Sequence, residues 1–264
     1  MASNDVTPLS TATDGEPEHF DVLIVGAGIS GIGAAHHLLE KCPGKSFVIL
    51  ETKESYGGTW RQHTYPGIRS DSDLYTFGYG FKPWTGQPIA SGDAILGYLG
   101  EAIEDDHIDR HVRYQHEVLS TSWSSDEQQW LVTARRGDGG ELVRITCNFL
   151  WMCQGYYNHQ NPYVPDWPGM DQYKGEFIHA QLWDPETDYT GKRILVIGSG
   201  ATAATVIPAF AEKAEHVTML QRSPTYFFCS ENRNELADRL REIGIDAVSY
   251  THLTLPTNRV AGGG

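Results

Sequence analysis

In two separate parts of this 264-residue chain, short apolar runs lie on either side of a stretch whose apolar residues recur at helical spacing. A short apolar run at 20–25 leads into glycines, small and apolar residues then recur at helical spacing through Leu39, and a second apolar run covers 46–50. This succession predicts a strand, a helix and a strand, the first βαβ unit. A second βαβ unit is predicted by the same pattern over residues 193–197, 201–213 and 216–222.

The stretch at 55–90 carries many glycine, proline, tryptophan and tyrosine residues with little periodicity, and we expect a long ordered loop region there. A helix is predicted for residues 91–106. Ser91 is its expected N-cap, because a serine side chain can accept a hydrogen bond from an otherwise unpaired backbone N–H. The apolar positions of this helix share one face, namely Ile95, Leu96, Leu99 and Ile103.

A period of two replaces the helical pattern over residues 116–152. Three alternating stretches read EVLSTSWS, QWLVTARR and ELVRITCNFLWM, and SDEQ and GDGG separate them. Period two is typical of strands, and a glycine-rich tetrapeptide favours a tight turn. We therefore predict a β-meander, closed by CQGYY at 153–157.

Composition narrows the function classes. The formal net charge of −14 argues against nucleic acid and anionic membrane as partners. No apolar run approaches the roughly 20 residues of a membrane span, and no signal peptide is recognisable, so we expect a cytoplasmic protein. The four cysteines form no CxxC pair and are expected to be reduced and mostly buried. The eleven histidines are interpreted as forming no HxxxH or HExxH pair, and we expect no metal site.

Gly26, Gly28 and Gly31 form a GxGxxG turn directly after the first predicted strand. The first glycine permits the tight bend, the second lets the backbone approach a pyrophosphate, and the third lets helix and strand pack closely. The N-terminus of the following helix offers N–H donors to the phosphates. Glu51, at the end of the next strand, is placed to accept hydrogen bonds from ribose hydroxyls. The first unit is therefore predicted to bind a dinucleotide.

The second unit repeats the turn as Gly198, Gly200 and Ala203, but its next strand is followed by Arg222 and Ser223 instead of an acid. An acid would repel a 2′-phosphate, whereas an arginine pairs with it. The second site is therefore predicted to prefer NADPH over NADH. A solvated strand-end cation is the alternative interpretation of the arginine.

The first predicted site has an acid, Glu51, at the end of its second strand, and the second has Arg222 at the equivalent place. Together they predict FAD and NADPH as cofactors, and hence a flavoprotein reductase or oxygenase. A disulfide reductase is disfavoured because the redox cysteine pair is missing.

The segment YKGEFIHAQLWD at 173–184 resembles the FxGxxxHxxxW(P/D) fingerprint of the Baeyer–Villiger monooxygenases, with Tyr173 in place of phenylalanine. The matching residues are Gly175, His179, Trp183 and Asp184. The segments GGTWRQHTYPGIRSD and HVTMLQRSPTYFF are similar to the ethionamide-activating branch of that family, and the resemblance runs from about residue 20 to about 240. Without the resemblance, a histidine and a tryptophan four apart are also compatible with core packing.

The resemblance implies site residues position by position. Contacts to FAD are implied for Ser30, Glu51, Gly58, Thr59, Trp60, Arg61, Gln62 and Asp71, with Val118 beside the adenine. The meeting point of nicotinamide and flavin is implied at Arg69, Ser70 and Asp71. The NADP pocket is implied at Gly198, Ser199, Gly200, Ala201, Thr202, Ala203, Ala204, Thr205, Arg222 and Ser223.

Two roles carried by the resemblance are more specific. His179 and Trp183 are implied to lie at the domain hinge, where they couple NADP binding to domain position. Asp71 is implied as a catalytic residue that tunes an arginine which, in the family, follows the nicotinamide domain. Taken alone, Asp71 is also compatible with a turn or capping acid.

The reaction implied by the resemblance is NADPH- and FAD-dependent insertion of one oxygen atom of O2 into a ketone, giving an ester or lactone, with S-oxygenation of a thioether as a further activity. Two alternatives stay open. One is an N- or S-oxygenating flavin-containing monooxygenase, a class that generally lacks the fingerprint tryptophan. The other is a non-catalytic module that binds FAD and NADP.

The expected architecture is α/β, with two Rossmann-like dinucleotide-binding domains. We predict a disordered leader at 1–18, an FAD-binding domain at 19–160 and an NADP-binding domain at 161–246. Members of the family have roughly twice this length, so both domains are expected to be incomplete at the C-terminal side and this chain is not expected to turn over. The stretch at 247–264 does not continue the pattern and is expected to be a non-native tail.

Overall fold

The structure is a computed structural model that describes residues 16–226 and 231–246. It divides into two compact units, and the division falls between Thr59 and Trp60, within the helix that contains Leu99, and after Tyr156. The predicted tail and the first fifteen residues of the predicted leader lie outside the described residues. Glu18, the last residue of that leader, begins the first strand.

The strands of the first unit are β1 (Glu18–Val25), β2 (Phe47–Leu50), β3 (Val112–Arg113), β4 (His116–Ser124), β5 (Gln129–Arg136) and β6 (Leu142–Met152). They form one sheet in the order β3-β2-β1-β6-β5-β4. β1 pairs in parallel with both β2 and β6, and β2 with β3, whereas β5 pairs antiparallel with β4 and β6. The predicted βαβ unit and the predicted meander therefore join edge to edge through β1 and β6.

The helices are α1 (Ile29–Lys41), α2 (Thr59–Gln62), α3 (Leu74–Phe77), α4 (Gly92–Asp105), α5 (Ala201–Ala211) and α6 (Glu235–Glu242). Three short 3-10 helices cover Ile108–His111, Met170–Gln172 and Ala180–Leu182. None of the helices in this part of the chain is long and apolar enough to cross a membrane.

Helix α4 begins as its sequence predicts. The hydroxyl of Ser91 accepts a hydrogen bond from the N–H of Ala94 at 3.2 Å, the geometry of an N-cap. Ile95, Leu99 and Ile103 are buried, as expected from their spacing. Leu96 is only half-buried, because the buried face is shifted toward Tyr98 and Ala102.

Apolar side chains of four strands form the core of the first unit. Its buried members are Leu23, Val25, Val48, Leu50, Val132, Ala134, Ile145 and Cys147. The second half of β1, Val22–Val25, and all of β2 are continuous apolar runs, because parallel strands in the middle of a sheet are buried on both faces. These rigid strands fix the position of the turn that follows β1.

The second unit contains a two-stranded parallel sheet of β7 (Arg193–Ile197) and β8 (His216–Leu220). Ile194, Val196 and Val217 pack with α5 in a core that also includes Tyr65, Ile68, Ala180, Trp183, Tyr189, Val206 and Phe210. Leu195, Ile197 and Leu220 alternate with the inward side chains, and about half of each is exposed, at 53%, 47% and 52%. With parallel pairing and a helix in both units, the predicted α/β class is confirmed.

Candidate dinucleotide-binding sites

The first glycine turn lies between β1 and α1 and requires its glycines. Gly26 has φ 101°, and its N–H donates to the carbonyl of Leu50 at 2.8 Å. A Cβ atom on Gly26 would lie 2.8 Å from the carbonyl oxygen of Cys153. A Cβ atom on Gly31 would lie 1.9 Å from the carbonyl oxygen of Gly26, a distance that no side chain can occupy.

The second turn, between β7 and α5, has nearly the same backbone. Gly198 has φ 125°, and its N–H donates to the carbonyl of Leu220 at 2.8 Å. Gly200 has φ −80° and ψ −172°, and the corresponding Gly28 has φ −82° and ψ −171°. Both glycines begin their helix by accepting a hydrogen bond at 3.0 Å from the residue four positions on. The duplicated sequence motif is thus a duplicated structure at a strand-to-helix junction.

The two turns differ at the third glycine position. The second turn has Ala203 there, and its side chain is buried against the strand. A Cβ on Gly198 would contact nothing within 4 Å, whereas Gly26 has the backbone of Cys153 beside it. The first turn is therefore the more tightly enclosed of the two, because the chain leaving β6 passes next to it.

Glu51 lies directly after β2 and is buried, with 7% of its surface exposed. Its Oε2 accepts a hydrogen bond from the N–H of Ala27 at 2.7 Å, and its Oε1 accepts one from the N–H of Lys53 at 2.9 Å. An ionised carboxylate has further acceptor sites on both oxygens, so it can also accept from a ligand hydroxyl. The carboxylate thus connects the glycine turn to the end of β2.

A second pair of glycines packs on the first turn. The N–H of Gly57 donates to the carbonyl of Ala27 at 3.0 Å, and a Cβ on Gly58 would lie 3.1 Å from the Cα of Gly28. Gly58 has φ 54°, a left-handed conformation that favours glycine. The predicted segment GGTW, whose Thr59 begins α2, is therefore brought against the turn predicted to hold a pyrophosphate.

Two other predicted FAD contacts of the first unit have different surroundings. Ser30 is exposed in the first turn of α1, next to the glycine turn. Val118 is half-buried against the core of the first unit, where the pairing of β4 with β5 shifts register.

Trp60, Arg61 and Gln62 continue α2 in the second unit. The side-chain nitrogen of Gln62 donates to the carbonyl of Gln181 at 3.2 Å. Its side-chain oxygen is buried and accepts no hydrogen bond from any described residue. A buried acceptor without a donor costs about 1–3 kcal/mol, so this oxygen favours a ligand that carries an O–H or N–H donor.

The segment 69–71 is held by its backbone. Ser70 is buried, its hydroxyl accepts from the N–H of Ala90 at 3.0 Å, and its own N–H donates to the carbonyl of Ala90 at 2.8 Å. Arg69 and Asp71 are exposed on either side of it, and Asp71 accepts a hydrogen bond from the hydroxyl of Ser72 at 3.1 Å. Ser70 therefore fixes the backbone between Arg69 and Asp71, and its hydroxyl is already hydrogen-bonded to the backbone of Ala90.

Tyr65 links this loop to helix α5 within the second unit. Burial raises the pKa of its hydroxyl, the hydrogen bond with Thr202 opposes that rise, and the charge of Asp71 adds to it. The hydroxyl of Thr205 donates to the carbonyl of Ala201 at 2.8 Å, inside the helix. Of the predicted NADP residues in α5, Ala201 and Thr202 are exposed at its N-terminus, Ala204 is half-buried, and Thr205 is buried.

Arg222 and Ser223 are exposed directly after β8, at the end of the sheet where the second turn lies. No ion pair within residues 16–226 and 231–246 uses the guanidinium of Arg222. Ser199, inside the turn, shares a hydrogen bond of 2.7 Å with the hydroxyl of Thr225. Arg222 thus lies two residues after Leu220, whose carbonyl accepts from the turn, and its side chain is exposed.

The fingerprint residues have structural partners. The Nδ1 atom of His179 accepts a hydrogen bond from the N–H of Gln181 at 3.2 Å and caps a 3-10 helix. Trp183 ends that helix, and its ring packs 5.4 Å from the ring of Phe210. Asp184 accepts from the N–H of Glu186 at 2.9 Å in a turn. Trp183 therefore packs as the core-packing interpretation expected, whereas His179 serves as a helix cap.

Tyr173, the aromatic substitute in the fingerprint, folds back along its own segment. A Cβ on Gly175 would lie 2.4 Å from its hydroxyl, and its ring centroid is 4.8 Å from that of Phe177. Glycine in the fingerprint therefore leaves room for the neighbouring ring.

The sequence analysis missed one cluster of possible metal ligands and one HxxxH spacing. Ligand atoms of His36, His37 and Glu40 lie within 4.8 Å of one another on α1. The signal was the order HHxxE, which puts the acid one helical turn beyond both histidines. His107 and His111 also have HxxxH spacing, but the first is left-handed and the second stacks on Phe47 at 4.1 Å, so they form no helical pair.

The profile of the family described as pyridine nucleotide-disulphide oxidoreductase matches residues 20–257. The chain belongs to this family, whose dinucleotide-binding fold agrees with the two turns described above.

Within that fold the chain is similar to FAD-containing monooxygenases. It is 50% identical to the FAD-containing monooxygenase EthA of Mycobacterium tuberculosis over 236 residues, which cover 89% of this chain and 48% of that protein. It is 54% identical to the protein of the same name from Mycolicibacterium smegmatis over 211 residues, covering 79% of this chain and 42% of the relative. The chain thus spans about half the length of the curated relatives it matches.

Solved structures agree with this assignment. Cyclohexanone monooxygenase from Rhodococcus sp. Phi1 bound to NADP+ is similar with a TM-score of 0.70 and 31% identity, over 86% of this chain and 43% of that one. An oxidized steroid monooxygenase bound to NADP has a TM-score of 0.70 and 28% identity, over 85% and 43% of the two chains. The predicted resemblance to Baeyer–Villiger monooxygenases is confirmed by these neighbours.

Proposed function

We propose that this chain carries the FAD- and NADPH-binding part of a flavin monooxygenase that inserts one oxygen atom of O2 into a ketone. The observation that carries the proposal is the pair of glycine turns with matching backbone geometry. The carboxylate of Glu51 accepts a hydrogen bond from the first turn, and the exposed Arg222 follows the strand whose end bonds to the second. The names of the relatives support the oxygenase class.

FAD is assigned to the first turn. The N–H groups at the start of α1 would hold its pyrophosphate, because a helix N-terminus presents unpaired donors and a partial positive charge. Glu51 would accept from a ribose hydroxyl through acceptor sites not used by Ala27 and Lys53. In the second unit, the unsatisfied Gln62 oxygen fits a cofactor with O–H and N–H donors.

NADPH is assigned to the second turn. Gly198, Gly200 and the N-terminal residues of α5 would hold its pyrophosphate in the same way as the first turn holds that of FAD. Arg222 and Ser223 would bind the 2′-phosphate, since a guanidinium forms charge-assisted hydrogen bonds with phosphate oxygens. The excess of acidic residues in the chain makes this local cation the more important for anion binding.

The chemistry supplied by bound NADPH and FAD is hydride transfer and activation of O2, and the protein contributes binding, orientation and exclusion of water. Asp71 is proposed as a residue that acts through a neighbouring cation, and its exposed carboxylate is consistent with such a partner. The two hydrogen bonds between Ser70 and Ala90 fix the backbone next to that carboxylate.

A ketone is the preferred substrate class. A cyclohexanone monooxygenase with cyclohexanone bound has a TM-score of 0.71 to this chain at 29% identity. The second candidate is oxygenation of a thioether or amine. Trp183 and Asp184 disfavour the flavin-containing class that specialises in that reaction, because that class generally lacks the tryptophan.

Two measurements test the proposal. FAD and NADPH binding to the purified chain is measured by calorimetry, and we expect FAD to bind and NADPH to bind more tightly than NADH. The protein expressed from the native gene is then given a cyclic ketone, a thioether, NADPH and 18O2. An ester containing one 18O supports the ketone reaction, a sulfoxide alone supports the second candidate, and NADPH oxidation without a labelled product contradicts both.

A further inference from the structure

We infer that the outer face of α1 carries a Zn2+ site formed by His36, His37 and Glu40, with Asp106 as the supporting carboxylate. The site is independent of the proposed function, because the dinucleotide turn lies at the opposite end of the same helix. Two imidazoles and one carboxylate are ligands that suit zinc in proteins.

Helical spacing brings the three ligand atoms together. Glu40 lies four residues after His36 and three after His37, so its carboxylate lies one turn from both imidazoles. The Oε2 of Glu40 is 3.8 Å from the Nε2 of His36 and 3.6 Å from the Nδ1 of His37. The two histidine rings are nearly perpendicular, with centroids 5.1 Å apart.

These distances are close to what a tetrahedral zinc ion needs. With bonds of about 2.0–2.2 Å to nitrogen and oxygen, ligand atoms around one ion are roughly 3.3 Å apart. The carboxylate must therefore approach each imidazole by a few tenths of an ångström. The ligand nitrogens of the two histidines, which lie within 4.8 Å of each other, must also close by up to about 1.5 Å. The side chains of His37 and Glu40 are about half exposed, at 58% and 49%, so they have room to move and leave a coordination position for water.

The half-buried His36 has the support that a metal ligand usually has. Its Nδ1 is 2.6 Å from the Oδ2 of Asp106, so an ionised carboxylate keeps the ring proton on Nδ1 and leaves the lone pair on Nε2. Nε2 is the atom that faces Glu40. Carboxylates in this position orient ligand imidazoles and increase their basicity.

Lys41 places a positive charge next to the proposed zinc site. Its ammonium contacts the Oε1 of Glu40 at 2.8 Å, so the Oε2 atom is left for the metal while a positive charge stays nearby. This lysine is expected to weaken zinc binding. Its removal should therefore tighten binding, because a positive charge beside the cation is lost.

Calorimetric titration of the tag-free chain with zinc chloride tests the inference. We expect one equivalent of Zn2+ to bind, His37→Ala and Glu40→Gln to abolish that binding, and Asp106→Asn to weaken it about tenfold. Lys41→Ala should bind more tightly. The matched control His216→Ala, an exposed histidine on β8, should bind as the unmodified chain does.

Urea unfolding of each variant shows whether it is still folded. Zn2+ should raise the urea midpoint of the unmodified chain but not that of His37→Ala, because a ligand stabilises only the state that it binds. No zinc heat with the unmodified chain, or one equivalent retained by folded His37→Ala, would overturn the inference.

Discussion

The carboxylate of Glu51 accepts a hydrogen bond from the backbone N–H of Ala27 at 2.7 Å, across 24 positions of the sequence. The residue predicted to recognise a ribose therefore also supports the turn predicted to hold the pyrophosphate. Substitution of this carboxylate should weaken both the fold and the binding of FAD.

Glu51→Gln tests this double role. The amide keeps the shape of the side chain but can accept only through one atom, so either the N–H of Ala27 or that of Lys53 loses its acceptor. We expect a loss of about 1–3 kcal/mol in the free energy of unfolding, measured in urea, together with weaker FAD binding. Unchanged stability would contradict the structural half of the role.

The two turns respond differently to a methyl group at the equivalent position. Gly31→Ala should destabilise the first unit by about 2–3 kcal/mol, because its Cβ would lie 1.9 Å from the carbonyl oxygen of Gly26. Ala203→Gly is the matched control and should cost only about 1 kcal/mol through helix propensity. Urea unfolding of both variants gives the comparison, and equal costs would contradict it.

Arg222→Ala should separate the two nicotinamide cofactors. We expect NADPH binding to weaken by about 1.5–3 kcal/mol through loss of a charge-assisted contact, with little change for NADH. Calorimetry with each cofactor measures this difference. Arg193→Ala removes an exposed arginine from the other end of the same sheet and serves as the control. Equal losses for NADPH and NADH would remove Arg222 from the phosphate site.

Trp183 and His179 are expected to stabilise the second unit even without a cofactor. Trp183→Ala should cost about 3 kcal/mol because its ring packs in the core beside Phe210, and His179→Ala about 1 kcal/mol because a cap is lost. Unfolding is measured in cofactor-free protein. Effects that appear only with NADP present would instead favour the hinge role implied by the family.

Cys147 makes stability depend on alkaline pH. Burial raises the pKa of its thiol to about 11 from 9.0. An unfolded chain loses this proton first, so the contribution is fully present below pH 9 and is lost as the pH rises toward 11. The free energy of unfolding should fall over that range. Cys147→Ala, measured over the same range, should lack this component of the decline.

Local sequence signals predicted much of the fold. β7 has the bounds that its apolar run indicated, and Ser91 caps α4 as predicted. Both features depend on neighbouring residues, so they can be read from a short window. The predicted helix of the second unit ends two residues early, at Ala211, because helix ends depend on weak local preferences.

Contacts between distant residues could not be read in this way. The packing of Gly58 on Gly28 and the passage of Cys153 beside Gly26 depend on how β6 pairs with β1. The hydrogen bond that the Asp106 carboxylate accepts from the His36 ring spans 70 positions and gives no periodic signal. The sequence therefore identified the two glycine turns and missed the cluster on the outer face of the helix.

The outward side chains of β7 and β8, Leu195, Ile197 and Leu220, determine how this chain must be handled in solution. We expect such an open apolar face to associate with other copies, and heating to convert unfolding into irreversible precipitation. Its energetics should therefore be measured in chemical denaturant at low concentration, and a polar substitution such as Leu195→Lys should raise the soluble yield during expression.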